Sequence, residues 1–128
     1  MNAASASTAP IQRRVSADWL KELSTEQIIQ VQLDRIRREV SDFRGVIDMW
    51  DVINEAVIMP LFDKYDNGIT RMANKLGRFG IIRATFEAAR QANPGATLLL
   101  NDFDMSDAYE ILIEGCIENQ IKIDVLGL

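Results

Sequence analysis

"MWDVINEA", residues Met49–Ala56, decides how the rest of the chain is read. Val46, Ile47, Met49, Trp50, Val52 and Ile53 make the run apolar along its length, as expected of a β-strand covered on both faces. It nevertheless ends on Asn54 and Glu55, side by side. A carboxylate at the end of a buried strand is costly unless it is paired or used.

Outward from this strand the chain alternates helix and strand. Upstream, "STEQIIQVQLDRIRREVSDF" opens with Ser24 and Gln27 in capping-box spacing and places Ile29, Leu33, Ile36, Val40 and Phe43 three or four residues apart. Gly45 ends this helix. Downstream, Pro60 to Gly68 is rich in turn formers and is expected to be a loop. A second helix follows, with Met72, Leu76, Phe79, Ile82, Phe86 and Ala89 as its stripe, Thr70 as its cap and "NPG" (Asn93 to Gly95) as its stop. "ATLLLND" is the second strand. Ser106 caps a third helix that turns Ile111, Leu112 and Cys116 inward, and "IKIDVLGL" closes the chain as the third strand. Strands separated by whole helices lie parallel with the helices packed outside, so the fold is α/β, either a doubly wound sheet or a barrel. Both architectures bind ligands at the carboxyl ends of their strands, which is where Asn54-Glu55 and Asn101-Asp102 fall.

Composition narrows the chemistry. At 128 residues, 48% hydrophobic, the chain suits a single domain with a real core. A net charge of -5 argues against a nucleic-acid partner, since phosphates are neutralised chiefly by Lys and Arg. The absence of histidine removes the commonest metal ligand and general base, and with it zinc-hydrolase and Ser-His-Asp chemistry. No metal or cofactor is expected. Cys116, the single cysteine, has no basic neighbour in sequence and is assigned to packing. No apolar run is long enough to span a bilayer, so no membrane partner is expected. "MNAASASTAP" lacks the basic head and apolar middle of a secretory signal, and residues 1–15 are expected to be irregular or disordered ahead of a domain over 16–128. "DKYDNG" has its acids at the wrong offsets for a calcium loop, and "GRFG" (Gly77 to Gly80) lies inside a helical pattern, where its glycines are expected to allow close packing.

"WDVINEA", then "ARQANPGATLLLNDF", then "IKIDVLGL" is an ordered set that resembles the middle of glycoside hydrolase family 10, from about Asp18 to Leu128. The members are xylanases, retaining (β/α)8 TIM-barrel enzymes that cut β-1,4-linked xylan and are often secreted. Their fourth strand carries Trp-Asp-Val-x-Asn-Glu, the fifth ends Asn-Asp-aromatic and the sixth has Ile-Asp-x-x-Gly. The resemblance implies that Glu55 is the general acid/base and that Asn54 holds a hydroxyl of the sugar at the cleavage point. It also implies that Asn101 supports the site from behind and that Trp19 lies near the cleft. The implied partner is a β-linked polysaccharide or oligosaccharide. A buried carboxyl with a raised pKa suits such an acid.

This chain departs from the pattern in two ways. The family's Trp-His pair, expected shortly before the tryptophan that Trp19 resembles, has no counterpart in "APIQRRVSADW". The nucleophilic glutamate, about 5 to 5.5 Å from the acid in a retaining enzyme, belongs to a seventh strand beyond the matched segment, as does the Gln-x-His expected after "IDVLGL". Asp102 and Asp104 are the nearest substitutes by topology, while Asp124 is expected inside a strand; nothing in the spacing assigns any of them the role. The expectation is an incomplete barrel, about strands four to six, inactive alone and prone to associate through its exposed sheet edges. The alternative is a noncatalytic remnant that binds carbohydrate or another subunit.

Overall fold

The computed structural model describes residues 18–57 and 68–128; the expectations for residues 1–15 and for the loop up to Asn67 fall outside them. A short 3₁₀ turn (Asp18–Glu22) leads into α1 (Thr25–Asp42). The start of α1 follows its sequence signal. The Ser24 hydroxyl accepts from the Gln27 N–H at 3.2 Å, and the Gln27 side chain accepts from the Ser24 N–H at 2.9 Å. This reciprocal pair satisfies two donors that a helix start leaves open. The buried stripe is Ile28, Gln32, Ile36 and Val40, with Ile29 and Leu33 at its margin and Phe43 40% exposed. It is rotated from the expected face because Ile28 packs beside Gly68 and Leu20, toward the next helix.

The chain continues through β1 (Met49–Asn54), α2 (Gly68–Ala92), β2 (Thr97–Asn101), α3 (Asp107–Glu118) and β3 (Val125–Gly127). The strands pair in parallel in the order β1-β2-β3, without the reversal that marks a doubly wound switch point. Helices cover one face of the sheet. Trp50, Ile53, Leu98 and Leu100 are buried there with Val40, Ile82, Phe86 and Leu112. The opposite face holds Met49, Asp51, Thr97 and Leu99, none of them buried. Met49 is therefore 58% exposed, which corrects the expectation of a strand covered on both faces; its apolar composition came partly from Val46, which lies outside the strand and is 79% exposed.

A bulge in β1 sets up the rim. Trp50 pairs with Leu98 and Asp51 with Leu99, but the next pair is Ile53 with Leu100, leaving Val52 as an extra residue. Side chains alternate along a strand, so without the bulge Asn54 would share Trp50's helix-covered face. With it, Asn54 pairs with Asn101 on the open face.

Four other expectations are corrected. Thr70 lies inside the first turn of α2 rather than capping it. Gly77 interrupts α2 at φ 73°, ψ 170°, a kink that glycine tolerates and side-chain-bearing residues resist; a methyl group there would meet nothing, so close packing is not its role. Ile111 is 65% exposed, because the inward face of α3 is Tyr109, Leu112 and Cys116, spaced by three and four. "IKIDVLGL" forms a strand only over Val125–Gly127, so Asp124 precedes β3 instead of lying within it. Its carboxylate accepts from Arg90 at 2.6 Å and from the Leu98 N–H at 2.9 Å.

Candidate active site

Glu55 follows β1 directly, and its N–H extends the ladder by donating to the Asn101 carbonyl at 2.9 Å. Its backbone then enters the left-handed region at φ 59°. That conformation is strained for a residue with a side chain, by roughly 1–3 kcal/mol, and persists only where surrounding contacts hold it. Two contacts hold the next turn at Val57. Its N–H donates to Asp102 Oδ2 at 3.0 Å, and its carbonyl accepts from Arg78 Nη2 at 2.9 Å. Arg78 comes immediately after the Gly77 kink in α2. The strained position thus lies between a sheet ladder and a two-sided clamp.

The Glu55 side chain is buried, at 8% exposure. Burial pushes its carboxyl pKa above the ordinary value, the charge of nearby Asp102 adds to that rise, and a hydrogen bond from Asn54 opposes it. That bond is long, 3.4 Å from Asn54 Nδ2 to Glu55 Oε1. Glu55 Oε2 is buried without a hydrogen-bond partner among the described residues. A carboxyl group so placed holds its proton to higher pH than a solvated one and keeps an oxygen free to deliver it.

Asn54 and Asn101 face each other across the β1–β2 ladder, Asn101 Nδ2 donating to Asn54 Oδ1 at 2.6 Å. Sequence reasoning places Glu55, Asn54 and Asn101 at the rim, and the structure brings them together. Trp19 sits in the 3₁₀ turn and is 55% exposed. That turn docks on the start of α2 through Leu20 beside Gly68 and through Arg71, which donates to the Lys21 carbonyl at 3.1 Å. Among the described residues no hydrogen bond or ring contact joins Trp19 to Asn54 or Glu55.

Asp102 is the functional group that sequence reasoning undervalued. It is fully buried, accepting from the Val57 N–H through Oδ2 and from the Asp104 N–H through Oδ1 at 3.0 Å. The second bond was legible, since Asp accepting from the N–H two residues on is a recurrent turn. The first joins positions 45 residues apart and has no local signal. Tyr109 completes the rim, its hydroxyl lying 3.1 Å from both the Leu100 and Gly127 carbonyls.

Asp51, on the open face, has a different character. Its Oδ1 is buried without a partner among the described residues, and burial pushes its pKa from 3.8 up to about 6. Because the folded value lies above the unfolded one, protonation favours the fold. The contribution of Asp51 is fully present below pH 3.8 and is lost as pH rises through about 6. Asp51→Asn is expected to remove this component, so that urea midpoints measured below pH 3.8 and above pH 6 differ less than in the unsubstituted chain.

Residues 13–128 match the model of glycosyl hydrolase family 10. Endo-1,4-beta-xylanase A of Xylanibacter ruminicola is 35% identical over 115 residues, covering 84% of this chain and 29% of the relative. Endo-1,4-beta-xylanase B of Thermotoga neapolitana is 30% identical over 119 residues, covering 85% of this chain and 32% of the relative. The chain therefore spans only 29% and 32% of the length of these two curated relatives. Among solved structures, native xylanase 10B of Thermotoga maritima superposes with a TM-score of 0.69 at 24% identity, over 98% of this chain and 38% of that one. Xylanase 10B of Thermotoga petrophila RKU-1, solved in complex with xylobiose, gives 0.66 at 24% identity, over 91% of this chain and 36% of that one. The parallel sheet with its outer helices is thus an arc of a TIM barrel. With the Asn54–Glu55 rim in place and the family pattern matched from residue 13 to 128, the chain belongs to glycosyl hydrolase family 10.

Proposed function

We propose that this chain carries the acid/base half of a retaining β-1,4-glycanase active site that acts on xylan. The observation that supports this most is the state of Glu55: a buried carboxyl at a strand end, its pKa raised by burial, touching the Asn54 amide. That its relatives are endo-1,4-beta-xylanases supports the substrate class. In the first step protonated Glu55 gives its proton to the glycosidic oxygen as the C–O bond breaks, while a second carboxylate bonds to the anomeric carbon. In the second, ionised Glu55 takes a proton from water, whose oxygen displaces that carboxylate and restores the β configuration. Asn54 orients the sugar through a hydroxyl, Asn101 holds Asn54, and Trp19 offers an exposed aromatic face to the glycan.

The nucleophile is proposed to come from another segment or subunit. Asp102 has both oxygens committed to backbone N–H groups, Asp104 accepts from the Ser106 N–H, and Asp124 is at the opposite, amino end of β3, bonded to Arg90. The 128-residue chain alone is then expected to show no turnover. Its β1 and β3 edges, with Leu126 and Leu128 exposed, are the surfaces for further strands or a second copy. Sedimentation of the isolated chain is expected to show concentration-dependent association; a monomer throughout would exclude that role.

The test of function is a time course with β-1,4-xylan, using a protein that contains this chain together with its nucleophile, followed by proton NMR of fresh products. The β-anomer appearing first supports the reading. Initial α-anomer, or intact xylan, overturns it, and binding without cleavage transfers the chain to the class of noncatalytic carbohydrate modules.

A further inference from the structure

Gly127 ends β3 opposite Asn101 in the β2–β3 ladder. Its glycine identity is not required by its backbone, because the positive-φ glycines of the described residues are Gly45 and Gly77. Space is the requirement. A methyl group built on Gly127 falls on Asn101 Oδ1 and stands 2.9 Å from its Cγ and 3.1 Å from its Cβ, so the Asn101 side chain lies across the glycine. From there Asn101 Nδ2 reaches Asn54 Oδ1 at 2.6 Å.

A primary amide has one accepting end and one donating end. Engaging the Asn54 oxygen leaves its NH2 pointed away from Asn101, and that NH2 is the group 3.4 Å from Glu55 Oε1. The polar ends of neighbouring strands therefore form a directional series, from the bare Cα of Gly127, through Asn101 and Asn54, to Glu55. The β3 end is itself fixed, since the Gly127 carbonyl accepts from the Tyr109 hydroxyl at 3.1 Å and from the Asp102 N–H at 3.4 Å. With both anchored, Asn101 rather than the strand must yield if the space is filled.

We infer that Gly127 is a positioning residue: by ceding its side-chain space to Asn101, it fixes which way round the Asn54 amide faces and so what Glu55 and a bound sugar hydroxyl meet. This rests on the reading of Glu55 as the acid/base, and its consequence is measurable without turnover. Gly127→Ala displaces Asn101, frees the Asn54 amide to turn and removes the hydrogen bond that holds the Glu55 pKa down.

The experiment is an NMR titration of the carbon-13- and nitrogen-15-labelled chain, following the Glu55 carboxyl carbon and the Asn54 side-chain NH2. It compares the unsubstituted chain with Gly127→Ala, Asn101→Ala and the double variant. In the unsubstituted chain the Asn54 NH2 signals are expected to follow the Glu55 titration. In each single variant that coupling is lost and the Glu55 midpoint moves to higher pH. The double variant is expected to match the singles, since both break one connection. Unchanged Asn54 and Glu55 signals in either single variant, or shifts that add in the double, overturn the inference. If Gly127→Ala does not fold, the double variant, with the obstruction trimmed, is expected to fold; its failure to do so would assign the glycine another role. A xylan assay that fails while these shifts appear removes the enzymatic reading and leaves the positioning intact.

Discussion

Glu55→Ala is expected to lower the rate of xylan hydrolysis about 10²- to 10⁴-fold, the usual contribution of a general acid–base group, in a protein that contains this chain and its nucleophile. The loss is expected to depend on the leaving group. On the proposed role, a natural xylan leaving group takes the Glu55 proton, whereas a dinitrophenolate departs without it, so an activated aryl xyloside should still form the glycosyl intermediate. That intermediate then waits, because water lacks its general base. Azide needs no base to attack, so adding it should restore turnover and yield the β-glycosyl azide. Steady-state rates with and without azide, and the configuration of the azide product, check this. Rescue absent on an activated substrate would remove Glu55 from the acid/base role, and an α-azide would mean a nonretaining mechanism.

Asp102→Ala is expected to be the most destabilising polar substitution at the rim. Asp102 is fully buried and accepts from the N–H groups of Val57 and Asp104. Each buried donor left unpaired costs about 1–3 kcal/mol. The Val57 N–H is the buried one of the two, while the partly buried Asp104 N–H can turn to water. The expected loss is therefore about 1–3 kcal/mol, a sizeable share of the roughly 5–15 kcal/mol that holds a domain folded. Asp102→Asn keeps the volume but can accept through one oxygen only, so it should fall between the two. It also carries a second signature. The Asp102 charge raises the Glu55 pKa, so the neutral amide should bring the Glu55 midpoint down in a carboxyl titration. Urea unfolding gives the first quantity and carbon NMR the second. A chain that tolerated Asp102→Ala without loss of stability would remove the Val57 clamp from the account.

Much of the architecture was legible because its signals are local. The Ser24–Gln27 box and the Ser106 cap are each complete within three residues, and both form where expected. The site motif was legible for a different reason: Asn54 and Glu55 interrupt an apolar run where polar groups need a purpose. What the pattern could not convey is which apolar residues face helices and which face the open sheet. Met49 and Ile111 look alike to a periodicity argument, yet both are exposed, because one points away from the helix layer and the other lies off the Tyr109–Leu112–Cys116 face. Gly77 was misread since a helical stripe continues on both sides of it, and only the backbone angle reveals the kink. Asp102 and Arg78 escaped because they act on Val57 from 45 and 21 residues away.

The extra residue at Val52 bears on how this segment can change over generations. Substitutions within β1 alter a contact, whereas deleting the extra residue would restore strict alternation with Trp50 still facing the helices and Asn54 still opposite Asn101. An insertion would displace Glu55 from its ladder bond to the Asn101 carbonyl. Length in this stretch is therefore freer to shrink by one residue than to grow. Reading-frame-preserving loss of the Val52 codon should remove the bulge and leave the Asn54–Asn101 pair in place, whereas gain of a codon between Trp50 and Asn54 should displace the rim.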